Sequence, residues 1–385
     1  MTAKADLIIR NGTVVDPWQG VNGCRDILIR GGKILAAPDE DEDDAAAEGG
    51  KVIEARGCLV FPGLIDYHAH LFYGGTEVGV HPDSALLPQG VTTAVDQGSA
   101  GFVNWESFFR TVISNSQVRI YSHLHVSPAG LATAGWPEPV DPRLYNLERV
   151  RSLFENYSGW LCGLKIRQSR EVVGELGLAP LKAALDMAGE LGCRVVVHTT
   201  NPPGAAEDLV SLLRPGDVFC HVYQGKGSTI IGAGGKVKSA VRKARDRGVV
   251  FDTADGRPHY AFSVIRAAIA DGFAPDVIST DVVRSSLYEH TVFGLPFIMS
   301  KYLNLGLSLP SVVEACTAAP ARLVGMQGRL GTLAPGASAD VAIFKLKASD
   351  IVLRDHFGDS LVCEQILVPQ MTIRGGKIVY RCLEF

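Results

Sequence analysis

The chain predicts an α/β protein: a (β/α)8 barrel joined to a small β-sandwich built from both termini. Three observations predict it. Short apolar runs recur from residue 59 to residue 281, each ending at a polar residue; segments of helical spacing separate them; and glycine-turned hairpins are confined to the two ends. Buried parallel strands read as near-continuous aliphatic runs because both faces are covered. Runs spaced roughly 23 to 40 residues apart fit repeated βα units, and eight of them close into a barrel.

In chain order, the amino-terminal part offers strands at Asp6–Arg10, Thr13–Asp16, Asp26–Arg30 and Lys33–Ala36, separated by Asn11-Gly12 and Gly31-Gly32 turns. The acidic run Asp39–Asp44 reads as a solvated loop between strands. The barrel strands follow at Leu59–Ile65, Thr92–Asp96, Arg119–His125, Leu161–Lys165, Arg194–His198, Asp217–His221, Val249–Asp252 and Val277–Asp281. Leu178–Leu191 and Val237–Arg247 have helical spacing between them. The last strands are Val341–Lys345, Gln370–Arg374 and Lys377–Arg381. Ile29-Arg30-Gly31-Gly32-Lys33-Ile34 recurs as Ile373-Arg374-Gly375-Gly376-Lys377-Ile378. Neither end has enough strands for its own core, so residues 1–58 and 326–385 are expected to share one sandwich, with 59–325 the barrel.

The candidate site lies at the ends of those runs. His68 and His70 are two apart, so on a strand they share a face and can converge on one ion. Lys165, His198, His221 and Asp281 each close their own run. Taken singly these have plain readings: a hydrogen-bonded loop histidine, a snorkelling lysine, a capping aspartate. Together they place four imidazoles, an amine and a carboxylate at the carboxyl ends of strands 1, 4, 5, 6 and 8, where barrel sites gather. Cys220, adjoining His221, is expected to point away from the lumen.

With Pro62-Gly63-Leu64-Ile65-Asp66-x-His68-x-His70, Gly90-Val91-Thr92-Thr93 and Thr317-x-x-Pro320-Ala321, this pattern resembles the amidohydrolase superfamily over nearly the whole chain. The resemblance implies a binuclear metal-dependent hydrolase. His68, His70 and Asp281 would hold one divalent ion and His198 and His221 the other, with Lys165, carbamylated by CO2, bridging them. It further implies that a hydroxide shared by the metals attacks a carbonyl carbon, with Asp281 as the catalytic acid–base group. Carbamylation requires a neutral amine, so Lys165 must be desolvated or lie near cations. The imidazole-rich set suits zinc best, with manganese or iron as alternatives.

Within the superfamily the match looks closest to dihydroorotase-like deacetylases, carried by Asp96-Gln97-Gly98-Ser99-Ala100-Gly101, Lys165-Ile166-Arg167 and Val172-Val173-Gly174. That branch implies cleavage of an ester or amide acyl bond of a small carboxylic acid derivative, of the O-acetyl-α-hydroxy acid (acetyl-(R)-mandelate) type. Asp255 departs from the branch's strand 7 loop, where a histidine is expected, and no arginine follows His70 as in true dihydroorotases; Leu71 and Phe72 stand there. Arg167 is expected to clamp a substrate carboxylate, with a salt bridge to a neighbouring loop as the other reading. His125, His259 and Tyr260 are expected to contact substrate, while His123, Asp255 and Arg257 have no assigned role. The alternatives are a cyclic amidohydrolase opening a hydantoin or dihydropyrimidine ring, and a non-catalytic scaffold; the intact ligand set argues against the scaffold.

A net charge of −4 and pI of 6.2 give no reason to invoke nucleic acid. No run approaches eighteen apolar residues and no signal-peptide core opens the chain, so no membrane association is expected. Eight cysteines without Cys-x-x-Cys pairs fit reduced thiols in a cytoplasmic enzyme. A small-molecule substrate is the expected partner, and a homo-oligomer is compatible with the sequence.

Overall fold

The computed structural model describes residues 5–36, 50–133 and 136–385, so Asp39–Asp44 lies outside the described residues. The amino-terminal part forms β1 (Leu7–Arg10), β2 (Thr13–Asp16), β3 (Val21–Cys24), β4 (Ile27–Arg30), β5 (Lys33–Ile34), β6 (Lys51–Glu54) and β7 (Leu59–Pro62). The expected strand Leu59–Ile65 is in fact two strands in different sheets. Gly63 is the crossing point: its N–H donates to the Asp340 carbonyl, and a Cβ there would lie 2.3 Å from Thr92 Oγ1. Only a residue without a side chain lets the chain pass there.

Beyond Gly63 come β8 (Leu64–Ala69), β9 (Val91–Gly101), β10 (Arg119–His125), β11 (Leu161–Arg167), β12 (Arg194–His198), β13 (Val218–Cys220) and β14 (Val250–Asp252). They form a curled, parallel seven-stranded sheet in sequence order. The predicted strand Val277–Asp281 is not a regular strand, yet segment 277–282 is bonded to both edges. Thr253 N–H donates to Val277 O (3.0 Å) on the β14 side, and Asp281 N–H to His68 O (2.7 Å) on the β8 side. Alternation sorts the side chains. Tyr67, Val95, Tyr121, Val196 and Val218 share an inner cluster. Leu64, Leu124, Leu164, Ile166 and Val197 face outward onto Leu181, Leu209 and Val241 of the covering helices. Helix Ala179–Leu191 shows the local logic. Pro180 sits in its first turn, Leu181, Ala184, Met187 and Ala188 make its buried stripe, and Gly192 ends it in the left-handed conformation (φ 63°).

The chain returns to the terminal sheets through β15 (Val341–Arg354), β16 (Ser360–Arg374) and β17 (Lys377–Arg381). A four-stranded sheet ordered β5-β4-β1-β6 and a six-stranded sheet ordered β17-β16-β15-β7-β2-β3 share an apolar cluster. The first contributes Leu7, Ile9, Ile29 and Ile53, the second Val14, Val60, Val341 and Ile373. Both Gly-Gly hairpins form as expected, with φ of 56° and 74° at Gly31 and Gly32 and 55° and 79° at Gly375 and Gly376. The two turns pack on each other, so that a Cβ on Gly32 would lie 3.0 Å from Gly375 O. The β15–β16 hairpin is far longer than expected. It crosses helix Leu295–Asn304, where Leu367 N–H donates to Ser300 Oγ (2.9 Å), and its tip reaches the loop after β14.

Candidate metal centre and active site

Six side chains from the carboxyl ends of four strands and from segment 277–282 meet in one buried cluster. His70 Nε2 lies 3.0 Å from Asp281 Oδ1, His68 Nε2 lies 3.5 Å from the same oxygen, and Lys165 Nζ lies 3.2 Å from His68 Nε2. The His198 and His221 rings are 4.2 Å apart, and the His68 and His221 rings 5.3 Å. His68, His221 and Asp281 form one group able to hold a cation; His198 and His221 form another with His259, which the sequence reading had placed among substrate contacts. His259 Nε2 also approaches Asp281 Oδ2 at 3.6 Å.

Local backbone irregularities explain why these side chains converge. β8 slips register against β9 between Asp66 and Ala69, so the adjacent Tyr67 and His68 both reach the interior. His221 and Asp281 adopt φ of 58° and 52°, costly for residues with a Cβ and a common signature of functional positions. The turn at His221 corrects the expectation for Cys220. Cys220 follows strand alternation into the inner cluster, with Sγ 3.6 Å from Asp252 Oδ2. His221 enters as well because its left-handed backbone breaks the alternation.

Hydrogen bonds behind the cluster set which ring nitrogen faces inward. His68 Nδ1 pairs with Asp252 Oδ2 (3.4 Å), His70 Nδ1 with Ser99 Oγ (3.2 Å), His221 Nδ1–H with the Ala254 carbonyl (2.6 Å) and His259 Nδ1 with Thr200 Oγ1 (2.8 Å). Each partner leaves Nε2 turned toward the centre, as metal-binding imidazoles require. The sequence named Ser99 only within the Asp96–Gly101 motif and Asp252 only as a strand end, without this role, and Thr200 not at all.

The electrostatics fit the same purpose. Burial, assisted by neighbouring cationic groups, holds His68, His198 and His221 well below the usual imidazole range and His259 down to about 4. Neutral rings keep the lone pairs a cation needs. Burial also lowers Lys165, against the pull of Cys220, Asp281 and Asp252, and so favours its free amine. Burial acts to raise Asp281, but its hydrogen bond from His70 and the surrounding imidazoles prevail and hold it ionised. Asp252 is pushed by burial up to about 7, although its Ser279 bond and Lys165 oppose this.

These residues fit a metal centre on a further observation: His221 Nε2 is buried and aimed into the cluster, with no hydrogen-bond partner among the described residues. A cavity of about 190 Å³ opens beside it, lined in part by His68, His70, Lys165, His198, His259 and Asp281.

The expected substrate contacts divide. His259 and Arg167 line the cavity. Arg167 Nη1 donates to Glu138 Oε2 at 2.8 Å, which is the loop salt bridge given as its other reading. His125 does not reach the cavity. It is fully buried, with Nε2 3.1 Å from Glu138 Oε1 and Nδ1 accepting from Ser127 N–H, so it stands behind Arg167. Tyr260 is likewise buried away from it, its hydroxyl donating to the Arg354 carbonyl (3.2 Å) and its face covered by Lys301 Nζ at 3.5 Å. Of the unassigned residues, His123 packs between Tyr67 and Cys162. Asp255 forms a buried pair with Lys301 and accepts from Tyr302 (2.9 Å), and Arg257 is exposed. Among the described residues, no helix is long and apolar enough to cross a membrane.

The amidohydrolase family model matches residues 300–380. A deacetylase of Agrobacterium fabrum is 32% identical over 381 residues, spanning 98% of this chain and 92% of its own. A crystal structure described as an adenine deaminase superposes with a TM-score of 0.88 at 29% identity, covering 98% of this chain and 100% of that one. One described as a dihydroorotase gives 0.87 at 30% identity, covering 97% of each.

Proposed function

The chain belongs to the amidohydrolase superfamily, in its dihydroorotase-like deacetylase branch, and on that premise we propose that it removes the acyl group of a small acylated carboxylic acid at a two-metal centre. The observation that carries this reading is the buried Lys165 amine, its pKa lowered by burial, set among His68, His198, His221 and Asp281. A free amine adds to CO2 and loses a proton, and the resulting carbamate is an anionic oxygen donor where an ammonium would repel cations. His68, His70 and Asp281 would hold one ion, and His198 and His221 the other, with His259 within reach of the second. Divalent ions bound there supply a Lewis acid for the carbonyl oxygen and a nucleophilic water at neutral pH.

The chain's own groups do the rest. Asp281, held ionised beside His70, accepts the proton of the attacking water and returns it to the departing oxygen or nitrogen. Arg167 borders the cavity with part of its guanidinium engaged by Glu138, leaving the remainder to meet a substrate carboxylate. We read segment 277–282 as the eighth stave of the barrel. The two terminal sheets form one sandwich module drawn from residues 1–58 and 326–385, to which β7 adds a strand.

Two measurements test the reading. Elemental analysis of protein made with added zinc or manganese is expected to find two ions per chain; full activity with one would refute the bridged centre. Metal-loaded protein is expected to hydrolyse O-acetyl-α-hydroxy acids or N-acetyl amino acids in preference to hydantoins and dihydropyrimidines. Faster ring opening would move the chain to the cyclic amidohydrolases.

A further inference from the structure

Outside the cavity at the metal ligands lies a second compartment of about 450 Å³, which shares Arg167, His198 and His259 with it as a common wall. Its far side is furnished by His356 and Phe357, from the tip of the β15–β16 hairpin. These residues stand about 160 positions after the nearest ligand in sequence on this wall, His198, and belong to a strand pair rooted in the terminal sheet.

The tip is built, not draped. Asp355, nearly buried, accepts from Phe357 N–H (2.9 Å) and Asp359 N–H (2.9 Å) with one oxygen and from Phe262 N–H (2.8 Å) with the other. Arg266 Nη1 donates to Asp359 Oδ2 at 2.6 Å, which ties the tip to the helix Phe262–Ala270. The Phe357 ring lies so close over Gly225 that a Cβ there would sit 2.8 Å from ring Cε2. Yet Phe357 remains 47% exposed. A phenyl ring fixed at its backbone and left half uncovered beside a cavity is a surface for binding.

The chemistry of the compartment narrows its occupant. Lys226 is paired with Glu171, and Arg167, partly held by Glu138, keeps the rest of its guanidinium for the substrate carboxylate. Beyond these ion pairs the lining is the imidazoles of His198, His259 and His356, the hydroxyls of Ser169 and Thr200, both already hydrogen-bonded, and the Pro258 and Phe357 rings. The smaller cavity suits the acyl group and the larger one a planar or aromatic body.

We propose that the hairpin tip is part of the substrate site, with Phe357 a specificity-determining residue that receives an aromatic group on the alcohol or amine half of the substrate. This rests on the acyl-hydrolase reading above. The test compares acetyl esters of two α-hydroxy acids, one bearing phenyl and one methyl on the same carbon, using metal-loaded wild type, Phe357→Ala and Phe357→Leu. The phenyl-to-methyl ratio of kcat/KM is expected to fall about tenfold in Phe357→Ala, mainly through KM, and less in Phe357→Leu. An unchanged ratio, including an equal loss on both esters, overturns the proposal while leaving the acyl-hydrolase reading intact. If wild type cleaves neither ester, that reading fails by itself. Calorimetric binding of the two free hydroxy acids to the metal-loaded proteins then decides the tip. A phenyl preference lost in Phe357→Ala supports it, and no preference, or one that survives, overturns it.

Discussion

Lys165 is 2% exposed and pairs with no carboxylate in a salt bridge among the described residues, so burial outweighs the pull of Cys220, Asp281 and Asp252 on its ammonium. A charge in that position is costly, which shifts the group toward its free amine. This is why the residue is legible as a ligand and not as an ordinary lysine. Lys165→Ala should lose most of the bound metal and the activity, and short carboxylic acids should restore part of both by entering the space of the carbamate. Lys165→Arg should resist rescue, since a guanidinium fills that space and stays charged. Metal content and rate, measured with and without acetate or propionate, check this; equal rescue of both variants would remove the bridging role. At the same scale Asp252, Ser99 and Thr200 show what a single sequence hides. They act through imidazoles that lie far from them in the chain.

The two Gly-Gly hairpins were readable as elements because their turns need positive φ at both central residues, which glycine adopts without steric cost. Their mutual packing was not readable, since it depends on how the two ends of the chain meet. The two effects can be separated. Gly31 has φ 56° with open space around it, so Gly31→Ala should cost about 1 kcal/mol from conformation alone. A Cβ on Gly376 would in addition lie 3.1 Å from Ile29 Cγ2 and 3.3 Å from Gly32 Cα. Gly376→Ala should therefore cost about 1 to 2 kcal/mol more, from overpacking at the contact. Urea denaturation of the two variants checks the difference; equal losses would mean the turns are not in firm contact. The long β15–β16 hairpin escaped the strand pattern for a related reason. From Lys345 to Ile351 it is mostly solvated on both faces, so no alternation marks it.

Across the whole molecule, acid should destabilise the metal-free protein. Burial above all holds His68, His123, His198 and His221 well below their ordinary range and His259 at about 4. The unfolded chain protonates the same rings near pH 6.5. Below that pH the unfolded state binds more protons than the folded one, and stability falls with pH, by about 1.4 kcal/mol per unit for each ring. Asp66 and Asp252, raised by burial to about 6 and about 7, act in the opposite sense above the usual carboxylate range. Burial raises Asp96, Asp255 and Asp276 as well, and these carboxyls together weaken the slope set by the five imidazoles. The Tm of chelator-treated protein is thus expected to fall between pH 7.5 and 5.5. A flat or rising Tm would show that the rings charge freely in the folded state.

The sequence by itself determined the parallel sheet, the presence of strands from both chain ends in the terminal sheets, and the choice of His68, His70, Lys165, His198, His221 and Asp281 as candidates, which the structure brings together. Each of these is encoded locally, in an apolar run, a glycine turn or the residue that closes a strand. Tertiary structure alone decided the rest. Gly63 splits one apolar run between two sheets because Thr92 and Asp340 crowd it. The left-handed turn at His221 lets Cys220 and His221 face the same interior. Glu138 takes hold of Arg167 and His125, and Lys301 takes Asp255, which had no assigned role, and covers Tyr260, an expected substrate contact. At Gly63, Arg167, Asp255 and Tyr260 the deciding partner comes from another part of the chain. Only closure of the sheet and the return of the carboxyl-terminal strands bring it within contact distance.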